Sequence, residues 1–152
     1  MPVSCSRPQE RKPMEPAVAY NICPIHATIN VLGKKWTILI LRDIALRKIN
    51  RFNQIKRSLP GITSRVLILR LQELEKTGYI RPDLIKDKPR VVEWQLTEKG
   101  LDTIPVLLSI LEFGVKWCAD DVFEDHKPRT MKELYPSLYE NTESVRFQST
   151  ES

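Results

Sequence analysis

The sequence has little of what enzyme and metal sites are built from: 152 residues hold 5 glycines, 3 cysteines and 2 histidines. No nucleophile elbow, phosphate-binding glycine loop or H-E-x-x-H motif occurs, so nothing argues for catalysis and no catalytic residue is expected. Cys5, Cys23 and Cys118 are odd in number, widely spaced and form no C-x-x-C pair, which excludes a disulfide framework and a Cys-rich zinc knuckle. With only His26 and His126 to add, neither a structural metal nor a cofactor is expected. Long apolar runs are missing too. The greasiest stretch, Leu101 to Trp117, carries Asp102, Pro105, Glu112 and Lys116, short of the roughly 18 apolar residues a membrane span needs. The opening MPVSCSRPQERKPMEP has no apolar h-region. The expectation is a cytoplasmic protein with no membrane partner.

What is present is ordinary in amount and uneven in place. Hydrophobic residues at 41% and charged residues at 28% suit one globular domain, and the length suits one core rather than two. The formal charge of +5 is not spread evenly. Gly33 to Arg90 holds 15 Lys/Arg against Asp43, Glu73, Glu75, Asp83 and Asp87, a net +10, whereas residues from Glu112 onward carry a net −4. A basic stretch with helical periodicity is the footprint of a nucleic-acid surface, because cations placed on phosphates release condensed counterions. A merely solvated face is the competing reading of any such charge run.

Along the chain, residues 1–20 are rich in Pro, Ser and charge and read as a flexible N-terminal arm. Pro24 can open a first helix with Ile25, Ala27, Ile29 and Leu32 as its apolar residues, closed by Gly33. Trp36 to Leu46 is apolar nearly all round and suits a buried second helix. Phe52, Ile55 and Leu59 mark an amphipathic third helix with a basic outside. Pro60-Gly61 breaks the pattern, Thr63 or Ser64 can cap a fourth helix to Lys76, and Thr77-Gly78 ends it. Two β-rich runs, Tyr79–Ile85 and Val91–Leu96, flank a basic tip and predict a hairpin. A long helix over 98–119, kinked or offset at Pro105, follows, and 120–152 reads as an acidic C-terminal tail.

The predicted fold is therefore mainly α with a small β-hairpin: a winged helix-turn-helix domain over 21–119. In such a fold a helix enters the major groove while a basic hairpin reaches the neighbouring backbone. In the fourth helix Leu67, Leu71 and Leu74 fall on one face, and Arg65, Ile68, Leu69 and Gln72 fall opposite. Arg65 is the candidate for a guanine edge or a phosphate, with Ser64 and Gln72 beside it. Ile68 and Leu69 suit thymine methyls or a partner surface better than hydrogen-bonded readout. Phosphate candidates are Lys34, Lys35, Lys56, Arg57, Lys86, Lys88 and Arg90, the wing group 86, 88 and 90 being the strongest. In the last helix Ile104, Leu108, Leu111, Val115 and Cys118 follow a 4, 3, 4, 3 spacing, widened by Leu107, Ile110, Phe113 and Trp117. That is more apolar area than a lone surface helix needs, and a homodimer interface through Ile104, Leu108, Leu111, Val115 and Trp117 is expected.

The order of motifs resembles one family. Cys23-Pro-Ile-His-Ala-Thr-Ile-Asn-Val-Leu-Gly-Lys-Lys-Trp-Thr, Arg51-Phe-Asn-Gln-Ile, Leu59-Pro-Gly-Ile-Thr-Ser-Arg-Val-Leu, Leu71-Gln-Glu-Leu-Glu-Lys-Thr-Gly-Tyr-Ile, Pro89-Arg-Val-Val-Glu-Trp-Gln-Leu-Thr-Glu-Lys-Gly and Pro105-Val-Leu are similar to the HxlR-type transcriptional regulators. The resemblance spans about Cys23 to Trp117 and implies a homodimeric, DNA-binding regulator with winged-helix subunits, often one answering to oxidants or electrophiles; two copies on a two-fold axis would meet a palindromic operator in double-stranded DNA. Ile68 and Leu69 stand where that family usually has polar residues. Cys23 matches the family's N-terminal cysteine and precedes a predicted helix start, where free N–H groups and the macrodipole favour an anion. It is the candidate redox sensor; a small buried apolar residue is the other reading. Cys5 is a candidate resolving thiol, and Cys118 is expected to pack in the dimer helix. A small-molecule effector could lie between the long helix and the DNA-reading lobe. The alternative function is a winged-helix module for protein contacts.

Overall fold

Helix α2 (Thr37–Leu46) is the centre of the core, as its nearly all-round apolar sequence predicts. In this computed structural model, which describes residues 13–139, Ile40, Leu41, Ile44 and Ala45 of α2 are buried against the elements wrapped around it. These are α1 (Pro24–Leu32), α3 (Phe52–Ser58), α4 (Ser64–Lys76), the hairpin β1 (Ile80–Lys86) and β2 (Val91–Leu96), then α5 (Glu98–Leu101) and α6 (Ile104–Trp117). Two further turns of helix follow, α7 (Ala119–Val122) and α8 (Met131–Leu134). Cys5 and most of the expected arm, together with the end of the acidic tail, lie outside the described residues.

The helix-turn-helix is set by local chemistry. Ile55 and Leu59 bring α3 onto the core, and Gly61 takes a left-handed φ of 92° in the turn that follows. Thr63 caps α4 by accepting the Val66 backbone N–H at 3.2 Å. Leu67, Leu71 and Leu74 are all at most 2% exposed, as the periodicity predicts. Gly78, at φ 80°, reverses the chain into β1. The strands pair antiparallel from Ile80↔Leu96 to Lys86↔Val91, with an irregularity between Leu84 and Lys86 near the tip.

The structure corrects or refines the expectations at three points. The helix predicted over 98–119 is two helices. Thr97 caps α5 by accepting the Gly100 N–H at 3.1 Å, and Pro105 falls in the first turn of α6 instead of kinking a continuous helix. The physical cause is that Pro105 has no N–H to bond back into α5. Second, α1 forms but contributes only Leu32 and the half-buried Val31 to the core; Ile25 is 76% and Ile29 54% exposed. Third, the chain past Trp117 is more than a tail. Met131 and Ala119 are buried, the Arg129 N–H donates to the Val115 carbonyl at 3.2 Å, and a Thr130–Glu133 capping box opens α8.

Candidate nucleic-acid interface

Since Leu67, Leu71 and Leu74 fix one side of α4 in the core, its opposite side is presented outward: Ser64, Arg65, Ile68, Leu69 and Gln72 are all exposed. The helix is also held electrostatically. Glu73 accepts from Lys34 Nζ at 2.6 Å and from Arg70 Nη1 at 2.9 Å, while Arg70 Nε donates to the Lys35 carbonyl at 3.0 Å. The Lys34 hydrogen bond, with Arg70 beside it, holds the Glu73 carboxyl below its usual range. Lys34 is thus tied to α4 and is not the free phosphate ligand the sequence suggested. Lys35 is exposed, its ammonium 5.2 Å from the Trp36 ring.

The other cations flank α4. Lys56 and Arg57 occupy the last turn of α3, which contacts α4, and with Asn53 they line a shallow depression. Lys86, Lys88 and Arg90 are exposed at the hairpin tip, where Arg90 also lines a depression with Phe52 of α3 and Glu75 of α4. The middle of the hairpin is anchored to the start of α3: Arg51 donates from Nε at 2.9 Å and from Nη2 at 2.6 Å to Glu93, and the Trp94 N–H donates to the Asn50 carbonyl at 2.8 Å. Arg51 was not singled out in the sequence, because its partner lies 42 residues away.

Asp43 was missed as well. It is 0% exposed in α2 and accepts at Oδ1 from Arg42 Nε (3.0 Å), Arg42 Nη2 (2.7 Å) and Arg47 Nη1 (3.2 Å), while Ser58 of α3 donates to Oδ2. Arg47 Nη1 also donates to Ser58 Oγ at 3.1 Å. Such a buried carboxylate is tolerated only when its lone pairs are filled. The signal in the sequence was an Arg-Asp pair inside an apolar run.

The residues expected at a dimer interface separate into groups. Val115 is 4% exposed within its own chain, so it is not available to a second copy. Ile104, Leu108 and Leu111 are half-buried and turn toward α2, lining a cavity. Trp117 is 67% exposed, and Ile110 and Phe113 stand out beside it at 50% and 63%. The outward apolar surface of α6 therefore runs through Ile110, Phe113 and Trp117, and α1 adds Ile25 and Ile29. Cys118 is exposed in the single chain, at the C-terminal cap of α6. Cys23 is the N-cap residue of α1, and its thiol is exposed in the single chain.

A capped outward-facing helix after a tight turn, a buried helix beneath it and an anchored basic hairpin define a winged helix-turn-helix. A family model described as HxlR-like helix-turn-helix matches residues 31–122, and the chain belongs to the HxlR family of transcriptional regulators. It is 36% identical over 104 residues to an uncharacterized HTH-type transcriptional regulator from Synechocystis sp., covering 68% of this chain and 76% of that one. Among solved structures it is similar to the redox regulator HypR in its oxidized form (36% identity, TM-score 0.56, 60% of this chain and 94% of that chain). It is also similar to the reduced form of the transcriptional regulator YodB from Bacillus subtilis (28% identity, TM-score 0.54, 64% and 95%). No helix among the described residues is long and apolar enough to cross a membrane.

Proposed function

We propose that the chain is a homodimeric, sequence-specific repressor that lays α4 in the major groove of double-stranded DNA and sets its hairpin tip on the flanking backbone. The observation carrying this reading is the division of α4: its apolar face is filled by its own chain, leaving Ser64, Arg65 and Gln72 with no structural duty. Arg65 in the first turn is the base-edge or phosphate ligand, and Lys35, Lys56, Lys86, Lys88 and Arg90 supply phosphate contacts. Ile68 and Leu69 take thymine methyl groups. A second copy, packed through Ile110, Phe113 and Trp117 with α1, doubles the reading surface, and occupancy of a promoter by such a dimer excludes other proteins from it. Selection from a random duplex pool tests this: a palindrome with half-site centres about 34–36 Å apart is expected, and binding should fall steeply with salt. Weak, salt-insensitive binding would instead favour a protein-contact module using Ile68 and Leu69.

Regulation through Cys23 is part of the same proposal. Its thiol is exposed at the start of α1, a helix whose apolar residues face away from the core, so modification there acts on the dimer seam. The redox naming of HypR supports this reading. Peroxide or quinone should release wild-type protein from its selected duplex and leave Cys23→Ser bound; equal release of both overturns the assignment.

A further inference from the structure

Between α2 and α6 lies an apolar cavity of about 540 Å³, within the size range that holds a drug-sized molecule. Leu39 and Leu46 of α2 form one wall and Leu107, Leu108 and Leu111 of α6 the opposite one. Leu138, from the chain that folds back after α8, adds a third side, so this is a half-open groove with three walls and not a bare helix face.

Its polar groups are of one sign. Arg42 and Arg47 line it, no carboxylate does so among the described residues, and Tyr135 adds the only hydroxyl. The two guanidiniums share a single counter-charge, Asp43, and leave donors over. Arg42 Nη1 and Arg47 Nε and Nη2 make no hydrogen bond within the described residues, whereas the buried Asp43 carboxylate is already filled. Two cations against one anion leave a net positive lip on an oily groove.

We propose that this cavity is an effector site for a small amphipathic carboxylate, its apolar body between α2 and α6 and its carboxylate on the spare donors of Arg42 and Arg47. A planar guanidinium fork matches a carboxylate, and the leucine-lined walls favour the apolar body. The same arginines bind Asp43, which in turn holds Ser58, the last residue of α3 ahead of the turn into α4. A ligand carboxylate on those spare donors shifts the Arg47 guanidinium relative to Asp43 and Ser58, loosens that link and so changes how α4 is held. The binding half of this proposal is independent of DNA recognition; only the coupling rests on the reading above.

Isothermal titration calorimetry of the full chain with decanoate and with decanol, which differ in the head group alone, tests the site. One saturable decanoate site per chain is expected, with decanol at least about tenfold weaker. Because Arg47→Gln disturbs Asp43, the variants are placed at Leu138, which is 54% exposed at the cavity rim. Leu138→Lys should tighten decanoate and Leu138→Asp weaken it, each by about threefold or more, with decanol binding equally to both. Equal affinity for the acid and the alcohol, unsaturable uptake, or no binding at all because a second copy fills the groove would each overturn the site. If decanoate binds as described yet leaves affinity for the selected duplex unchanged or tighter, the coupling to α4 fails while the site stands.

Discussion

Helices α4 and α6 are nearly equal in length, 13 and 14 residues, but they solve the problem of an amphipathic surface in opposite ways. In α4 the three core leucines are all sealed by the chain itself, and most of what remains outside is polar. In α6 only Leu107 and Val115 are sealed, while Ile110, Phe113 and Trp117 stay in the open. The apolar face of the first helix is covered by its own chain; much of the second is not. The proposed function follows the same line: α4 would offer polar groups to a polar ligand, and α6 would offer apolar area to a surface like itself.

That contrast can be broken at either helix. The largest effect is expected from Phe113→Asp. It should leave the fold intact by circular dichroism, convert a dimer to a monomer by light scattering, and cost duplex affinity roughly 10²–10⁴-fold through loss of the second half-site. Next, Leu71→Ala should lower unfolding free energy by about 2–5 kcal/mol in urea titrations, because its methyl groups leave a cavity the core cannot close. Phe113→Ala measured on monomeric protein should cost far less, since no atoms of its own chain seal it. Arg65→Ala should weaken the selected duplex by about 1–3 kcal/mol and relax preference at one base position. Replacing Lys86, Lys88 and Arg90 together by Ala should cut the slope of log affinity against log salt by about 3 while sparing sequence preference.

The smallest effect concerns how α4 is held. With the Glu73 carboxyl lowered from its ordinary value of 4.5, chiefly by Lys34, its contribution is complete above that value and is lost as pH falls through the lower folded value. The melting-temperature gap between wild type and Glu73→Gln should therefore narrow from pH 6 to pH 3, and only modestly for so exposed a pair.

Whatever depended on neighbours in sequence was legible in advance. The 3.6-residue spacing of Leu67, Leu71 and Leu74, the Pro60-Gly61 break, the Thr63 cap and the Thr77-Gly78 stop placed α4 and its faces, and the β-rich runs placed the hairpin. Whatever depended on pairs far apart in sequence was not. Glu93 on Arg51, Glu73 on Lys34 and the Ser58–Asp43–Arg47 cluster join residues whose identities alone give no sign of a partner. The 4, 3, 4, 3 stripe in α6 was correct as a pattern. A stripe does not say which neighbour covers it, and here Val115 serves the returning chain, Leu108 the cavity and Trp117 the open face.

The Arg51–Glu93 clamp has one more consequence. It joins the middle of the hairpin to the start of α3, so that only the tip carrying Lys86, Lys88 and Arg90 extends beyond the clamp. Meeting a duplex then requires no folding of the wing, only the freezing of a few long side chains at about 0.5–1.5 kcal/mol of entropy each. In the proposed complex the wing would arrive already shaped, so encounter with DNA would be governed by charge and diffusion, not by a wait for structure to form.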